Sequence, residues 1–238
     1  MSDAQALAAF LDKWRQRWPE WSVAEVFVPA TQRQAAVAWF ALLQELTDAA
    51  WGGTDPRPGE AKLGWWAEEL HGWSQRRRRH PLGIVLQPVD APWTGVALSL
   101  RALRAAREPA VGREHAMSTL RPVADAVAEV GRALFAGDAN GASVESLLAR
   151  HLLARGDAAA PLSVRARLGD GSGEHALARA WATELLGAWA PDAAMPRAER
   201  VFAALLRARL QRISGGGAPA EPTGRMSALW RAWRAARG

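Results

Sequence analysis

Cysteine is absent from this chain of 238 residues, which excludes disulfides and thiolate metal sites and fits a reducing compartment. No stretch approaches the roughly 18 consecutive apolar residues that a membrane-spanning helix needs. The opening Met1, Ser2, Asp3, Ala4, Gln5 carries no basic segment followed by an apolar run, so no secretory signal is expected and the chain reads as cytoplasmic. Runs of alternating β-branched residues are missing, so almost no sheet is expected. Lysine is scarce: Lys13 and Lys62 are the only two. The sequence holds no Gly-x-Ser-x-Gly, no His-Glu-x-x-His and no dinucleotide-binding glycine pattern. It has no repeat at periods of roughly 20 to 50 residues.

What is present points to helix. Hydrophobic residues make up 49% of the chain, enough for a sizeable core. Ala, Leu, Arg and Glu dominate, and these lose little rotamer freedom in a helix. The formal charge is +6, with a pI near 11.1. The arginines are spread along helices among 24 acids, a pattern of solvated faces rather than of a nucleic-acid groove.

The spacing predicts a first helix over 3–17, capped by Asp3, with Leu7, Phe10, Leu11 and Trp14 on one face. Trp14, Trp18 and Trp21 read as core edge or as a membrane or partner contact. Thr31 is the expected cap of a second helix, apolar on every side from Ala35 to Leu43 and therefore central. A turn over 52–59 leads into a helix from Glu60 to Trp73, with Leu63, Trp66, Leu70 and Trp73 in register and Trp65 beside them. Further helices are expected over 94–107, from Pro122 to about Leu134, over 143–155, over 174–189, and from Pro196 to about Ile213. Gly137–Gly141 and Gly169–Gly173 read as breaks. Residues 214–224 read as a flexible Gly/Pro segment, and 225–238 as an amphipathic helix. That tail sets Leu229, Trp230 and Trp233 against Arg225, Arg231, Arg234 and Arg237. It suits docking on the body or contact with an anionic membrane surface.

Several residues are candidates for chemistry. Glu45 and Asp48 share a helix face with Ala38 and Ala41, as in a cavity wall; the plainer reading puts both acids at an exposed helix end. The run Arg76–Arg79 has the forks to hold a diphosphate, and reads equally as a solvated loop. Asp125 and Glu129 lie on one face at a spacing that suits a divalent cation, with Arg121 and Arg132 at ion-pair spacing beside them. His151 has no second ligand at metal spacing and reads as structural.

Phe27, Pro29 and Arg33 ahead of an apolar helix resemble the start of the squalene/phytoene synthase family. Pro58, Gly59, Glu60, then Leu63, Trp65, Trp66, Glu69 and Leu70, then His80, Pro81 and Leu82 are similar to its second block in both order and spacing. Arg207, Arg209, Leu210 and Ile213, a Gly/Pro gap, then Leu229, Trp230 and Trp233 are similar to the tail of bacterial members. Residues 22–82 carry the best-matched block.

The resemblance implies one all-α, isoprenoid-synthase-like helical bundle over 1–238 around a central cavity. Family members condense two prenyl diphosphates head to head through magnesium, held by two Asp-x-x-x-Asp motifs. Magnesium needs those hard oxygens to bridge the diphosphate and neutralise it as it departs. This chain departs at both motifs. The first position keeps only Glu45 and Asp48, and the second keeps only Asp157. In this it is similar to non-synthase relatives such as the mitochondrial complex I assembly factor branch. The reading is a degenerate, non-catalytic member with no bound metal. It would hold a prenyl or lipid-like ligand at Arg33, Glu45 and Asp48, or serve a protein partner as an accessory or assembly factor. The alternative is an active prenyltransferase with Mg2+ on Glu45, Asp48 and Asp157, and a third option is a basic nucleic-acid-binding protein. Peripheral contact with the inner membrane would run through the Trp/Arg tail.

Overall fold

Helix α3 (Arg33–Trp51) is buried at every residue from Ala36 to Leu43, so it has no solvent face and must be enclosed by others. In the computed structural model it is packed by α1 (Asp3–Arg17), α4 (Arg57–Ser74), α6 (Trp93–Ala105), α8 (Val144–Arg155) and α11 (Arg197–Ser214). Around these lie α2 (Trp21–Ala24), α5 (Gly83–Leu86), α7 (Arg113–Phe135), α9 (Leu162–Leu168), α10 (Ala176–Gly187) and α12 (Arg225–Arg237). The structure describes residues 2–135, 144–169, 173–189, 195–219 and 221–237. Among the described residues there is no strand, and the chain is an all-α bundle. The expected break at Gly137–Gly141 and Ser143, the first residue of the helix expected over 143–155, lie outside the described residues.

Aromatic rings on both sides of α3 set how its neighbours pack. Phe40 stacks on Phe202 of α11 with centroids 4.5 Å apart, and Trp21 meets Phe40 edge-on at 5.3 Å. Trp14 and Trp18 close this cluster, and all three N-terminal tryptophans are buried. They are core, not the surface contact the sequence left open. On the other side Trp39 meets Trp93 of α6, which meets Trp73 of α4 at 5.1 Å. Such pairs add roughly 0.5–1.5 kcal/mol each beyond the area they bury.

Local chemistry corrects three expected boundaries. Ser2, not Asp3, caps α1: its hydroxyl accepts from the Gln5 amide while the Gln5 side chain accepts from the Ser2 amide. Thr31 caps nothing, because a 3-10 turn over Ala30–Gln32 leads straight into α3. Pro122 does not open a helix but lies inside α7, which begins two turns earlier. Pro122 and Ser118, whose carbonyl loses its amide partner, both face solvent, where water replaces the missing bond.

The block Leu63 to Leu82 is tied by one carboxylate. Buried Glu69 accepts from the Trp73 indole at 2.8 Å, the Arg79 amide at 2.7 Å and the His80 amide at 2.8 Å. Arg79 adds its Nε at 3.1 Å. The His80 ring then packs 4.6 Å from Trp66 and 4.8 Å from Phe10. The arginine run is taken up piecemeal: Arg79 on Glu69 and Glu68, Arg78 on Asp3, Arg76 on the Pro88 carbonyl and Arg77 on Gln75.

A second buried carboxylate ties the two ends of the chain. Glu20 and Arg209 form a fork-to-fork pair at 2.8 and 2.9 Å, and the Thr223 amide donates to the same carboxylate at 2.9 Å. The stretch 214–224 is therefore pinned at its far end. Burial by itself would raise the Glu20 pKa, but Arg209 and Thr223 more than offset it and hold the group below 4.5. Its contribution to stability is complete above that ordinary value and is lost as pH falls below it through the folded-state pKa. Glu20→Gln is expected to cost about 3 kcal/mol or more in urea unfolding at neutral pH, because Arg209 is left buried without a counter-charge. The gap between variant and wild type should narrow as the pH is taken below 4.5.

Candidate functional site

Glu45, Asp48 and Asp157 each have a partner within the protein. Glu45 is buried on α3 between Lys62 of α4, which donates to Oε2, and Lys13 of α1, 3.7 Å from Oε1. Both lysines of the chain thus serve this one carboxylate. Asp48, one turn on, accepts from Arg17 at 3.1 Å and from Gln44 at 2.9 Å. Asp157 follows α8 in a 3-10 turn and accepts from the Ala178 amide at 2.7 Å, which caps the first turn of α10. Arg33 donates through Nε and Nη2 to the carbonyls of Val28 and Val26.

Magnesium, which the family resemblance implies, needs several hard oxygens converging on one point. Two protein cations flank Glu45, a guanidinium occupies Asp48, and Asp157 is turned onto a backbone amide. Among the described residues no three or more His, Cys, Asp or Glu side chains come together as a metal site. The donors at these three positions do not fit the ion. Asp125 and Glu129 lie exposed on α7.

The residues the sequence reading missed lie on α8 and α11. Arg150 is 6% exposed, its guanidinium lies 4.7 Å over the Phe202 ring, and its Nη1 is buried with no hydrogen-bond partner. Burial pulls its pKa down to about 9, which leaves it charged at neutral pH. A buried guanidinium without a counter-ion loses several kcal/mol of hydration, and a ring face returns only about 2 kcal/mol. Across the same space stands Glu199, whose Oε1 accepts from the Trp39 indole at 3.4 Å. Gly131 makes room for it, since a Cβ there would lie 2.3 Å from that oxygen. Burial raises the Glu199 pKa to about 7, against the opposing pull of Trp39 and Arg150. At neutral pH Glu199 is thus only a partial counter-charge to Arg150.

Arg150 stands between two spaces. On one side is a narrow apolar cavity of about 40 Å³ between α3, α7, α8 and α11, lined by Phe40, Leu43, Val127, Leu147 and Phe202. On the other is a groove of about 380 Å³ walled by Trp18, Pro19, Leu153, Ala154, Pro219 and Pro222, with Arg17 and Arg209 beside Arg150. Asp48 and Glu20 satisfy Arg17 and Arg209. Arg150 makes no ion pair with a described residue. His151, its neighbour, is buried against Trp51 at 4.7 Å, and burial pushes its pKa down to about 3. It is therefore neutral across the physiological range.

The tail helix buries a different stripe from the one expected. Ala228 and Ala232 face inward, and their small side chains let α12 lie close along α11 and α2. Met226, Trp230 and Trp233 stay 76%, 52% and 42% exposed, with Arg234 and Arg237 stacked over the two indoles. The helix carries no acid.

No family model and no curated protein matches this chain. Among solved structures it is similar to the crystal structure of squalene synthase HpnC from Alicyclobacillus acidocaldarius. The two are 16% identical over 98% of this chain and 91% of that one, with a TM-score of 0.48. A likeness at this identity and score assigns neither a residue's role nor an activity.

Proposed function

We propose that this protein is a squalene/phytoene synthase-like helical protein that has lost prenyl condensation and serves as an accessory protein, holding one amphipathic ligand. The observation that carries this reading is the use made of the acids. Glu45 is neutralised by Lys13 and Lys62, Asp48 by Arg17, and Asp157 caps α10. A metal entering there would have to displace these cations from Glu45 and Asp48 and the Ala178 amide from Asp157. The space available agrees: the groove of about 380 Å³ is at the small end of ligand sites and takes one compact ligand, not two prenyl chains side by side.

Incubated with magnesium and farnesyl or geranylgeranyl diphosphate, the purified protein should release no diphosphate above the enzyme-free blank. Release that disappears in Asp48→Asn would overturn the reading and favour the active prenyltransferase.

The same protein works at the surface of an anionic membrane, with α12 as the contact. Its exposed Met226, Trp230 and Trp233 sit among arginines with no acid to balance them, as in helices that lie in the interface plane. No described helix is long and apolar enough to cross a membrane. The chain should sediment with phosphatidylglycerol vesicles at low salt, stay free of phosphatidylcholine vesicles, and be released by high salt. Trp230→Ala together with Trp233→Ala should abolish sedimentation. Equal sedimentation of that double variant, or preference for duplex DNA over anionic vesicles, would contradict the assignment.

A further inference from the structure

The groove bounded by Arg17, Arg150 and Arg209 also bears on what kind of ligand the protein holds. Three guanidiniums border it, and among the described residues two of them have ion-pair partners, Arg17 in Asp48 and Arg209 in Glu20. Arg209 is fixed by both arms to Glu20 and to the Arg17 carbonyl. Arg17 holds Asp48, which Gln44 also holds, and Gln44 in turn accepts from the Trp18 indole. Arg17, Trp18, Gln44 and Arg209 of that wall are thus in place before a ligand arrives. Arg150 is buried and makes no ion pair with a described residue, and its Nη1 has no hydrogen-bond partner. It is also held in position by the Phe202 ring, so its fork is already ordered for an incoming acceptor. The wall facing these cations is apolar, made by Trp18, Leu153 and Ala154 with Pro219 and Pro222 of the segment leading to α12.

We propose that this groove is a metal-free oxyanion site in which Arg150 takes the carboxylate or phosphate-monoester head of a small molecule with a compact apolar body. The inference rests on the ligand-holding reading above and adds to it the head-group chemistry and the residue that recognises it. Protein guanidiniums here do the neutralising that divalent ions do where carboxylates line a diphosphate site. Arg17 and Arg209 lend field, and Arg150 makes the direct contact. A body of about ten non-hydrogen atoms matches the volume, since a water-sized unit of liquid takes about 30 Å³.

The test is calorimetric titration, in excess chelator, of the full chain with octanoate, octyl phosphate, octanol and inorganic phosphate. Octanoate and octyl phosphate should bind saturably, and octanol and inorganic phosphate should each bind at least tenfold more weakly. Arg150→Met, which keeps the contact with Phe202, should melt with the wild type and lose at least tenfold in affinity for both anions. Arg150→Lys should recover only part of the loss, because an ammonium has no fork. Should Arg150→Met fold poorly, Ala154→Phe fills the groove without touching the charges, and it too should block binding. Octanol binding as tightly as octanoate, inorganic phosphate as tightly as octyl phosphate, or unchanged affinity in a folded Arg150→Met or Ala154→Phe protein would each overturn the proposal. Diphosphate turnover is measured separately with magnesium, so its appearance would remove the non-catalytic reading while leaving anion binding in chelator as its own result.

Discussion

A helix whose middle has no solvent face must be enclosed on every side, and that constraint on α3 governs the rest of the bundle. Its apolar middle accepts aromatic packing from both sides, through Phe40 toward α11 and through Trp39 toward α6. Its last two turns carry Glu45 and Asp48, and the exposed side chains of Lys13, Lys62 and Arg17 on α1 and α4 reach across to them. Pairs with exposed cations are worth only about 0–1 kcal/mol each to stability. Their consequence is that protein cations occupy both acids of α3. A divalent ion entering there would have to displace two ammoniums and a guanidinium.

The same accounting explains why Arg150 stands out. Glu20 with Arg209, Glu69 with Arg79, and Glu45 with its lysines are each closed by geometry. Arg150 has an aromatic face and feels Asp48 and a half-protonated Glu199 only through space, with no ion pair to either. One unpaired positive charge therefore sits where two cavities meet, apart from the solvated surface where most of the arginines lie. At the other end of the chain, α12 turns two alanines inward and its tryptophans and arginines outward. One segment, 214–224, thus joins the groove wall to the outward-facing helix, with Thr223 bonded to the buried Glu20.

Much of this was legible in the sequence, because period and composition act locally. The all-apolar stretch of α3 announces a central helix, and Leu63, Trp66, Leu70 and Trp73 announce the buried face of α4. Pro122 misled because a proline on a wet helix face interrupts nothing that water cannot mend. The cap of α1 shifted by one residue because Ser2 and Gln5 form a reciprocal pair that Asp3 cannot. Arg150 and Glu199 were missed because their setting is tertiary: Trp39 meets Glu199 across 160 positions of chain. A signal did exist. Residues 147–153 are leucine-rich on all sides of α8, and a helix of that kind buries whatever Arg and His it contains. The residues that carried the family likeness near Glu69 and His80 proved to be packing and hydrogen-bonding residues, so that likeness reports on fold rather than on chemistry.

The central claim is that the carboxylates of Glu45, Asp48 and Asp157 are held by protein cations and amides. Titration with Mn2+ in place of magnesium, followed by the paramagnetic resonance of the free ion, tests it directly. The account predicts no saturable binding into the millimolar range, with wild type and Asp48→Asn indistinguishable. Stoichiometric uptake of two or more ions per chain at micromolar concentration, lost in Asp48→Asn, would contradict it.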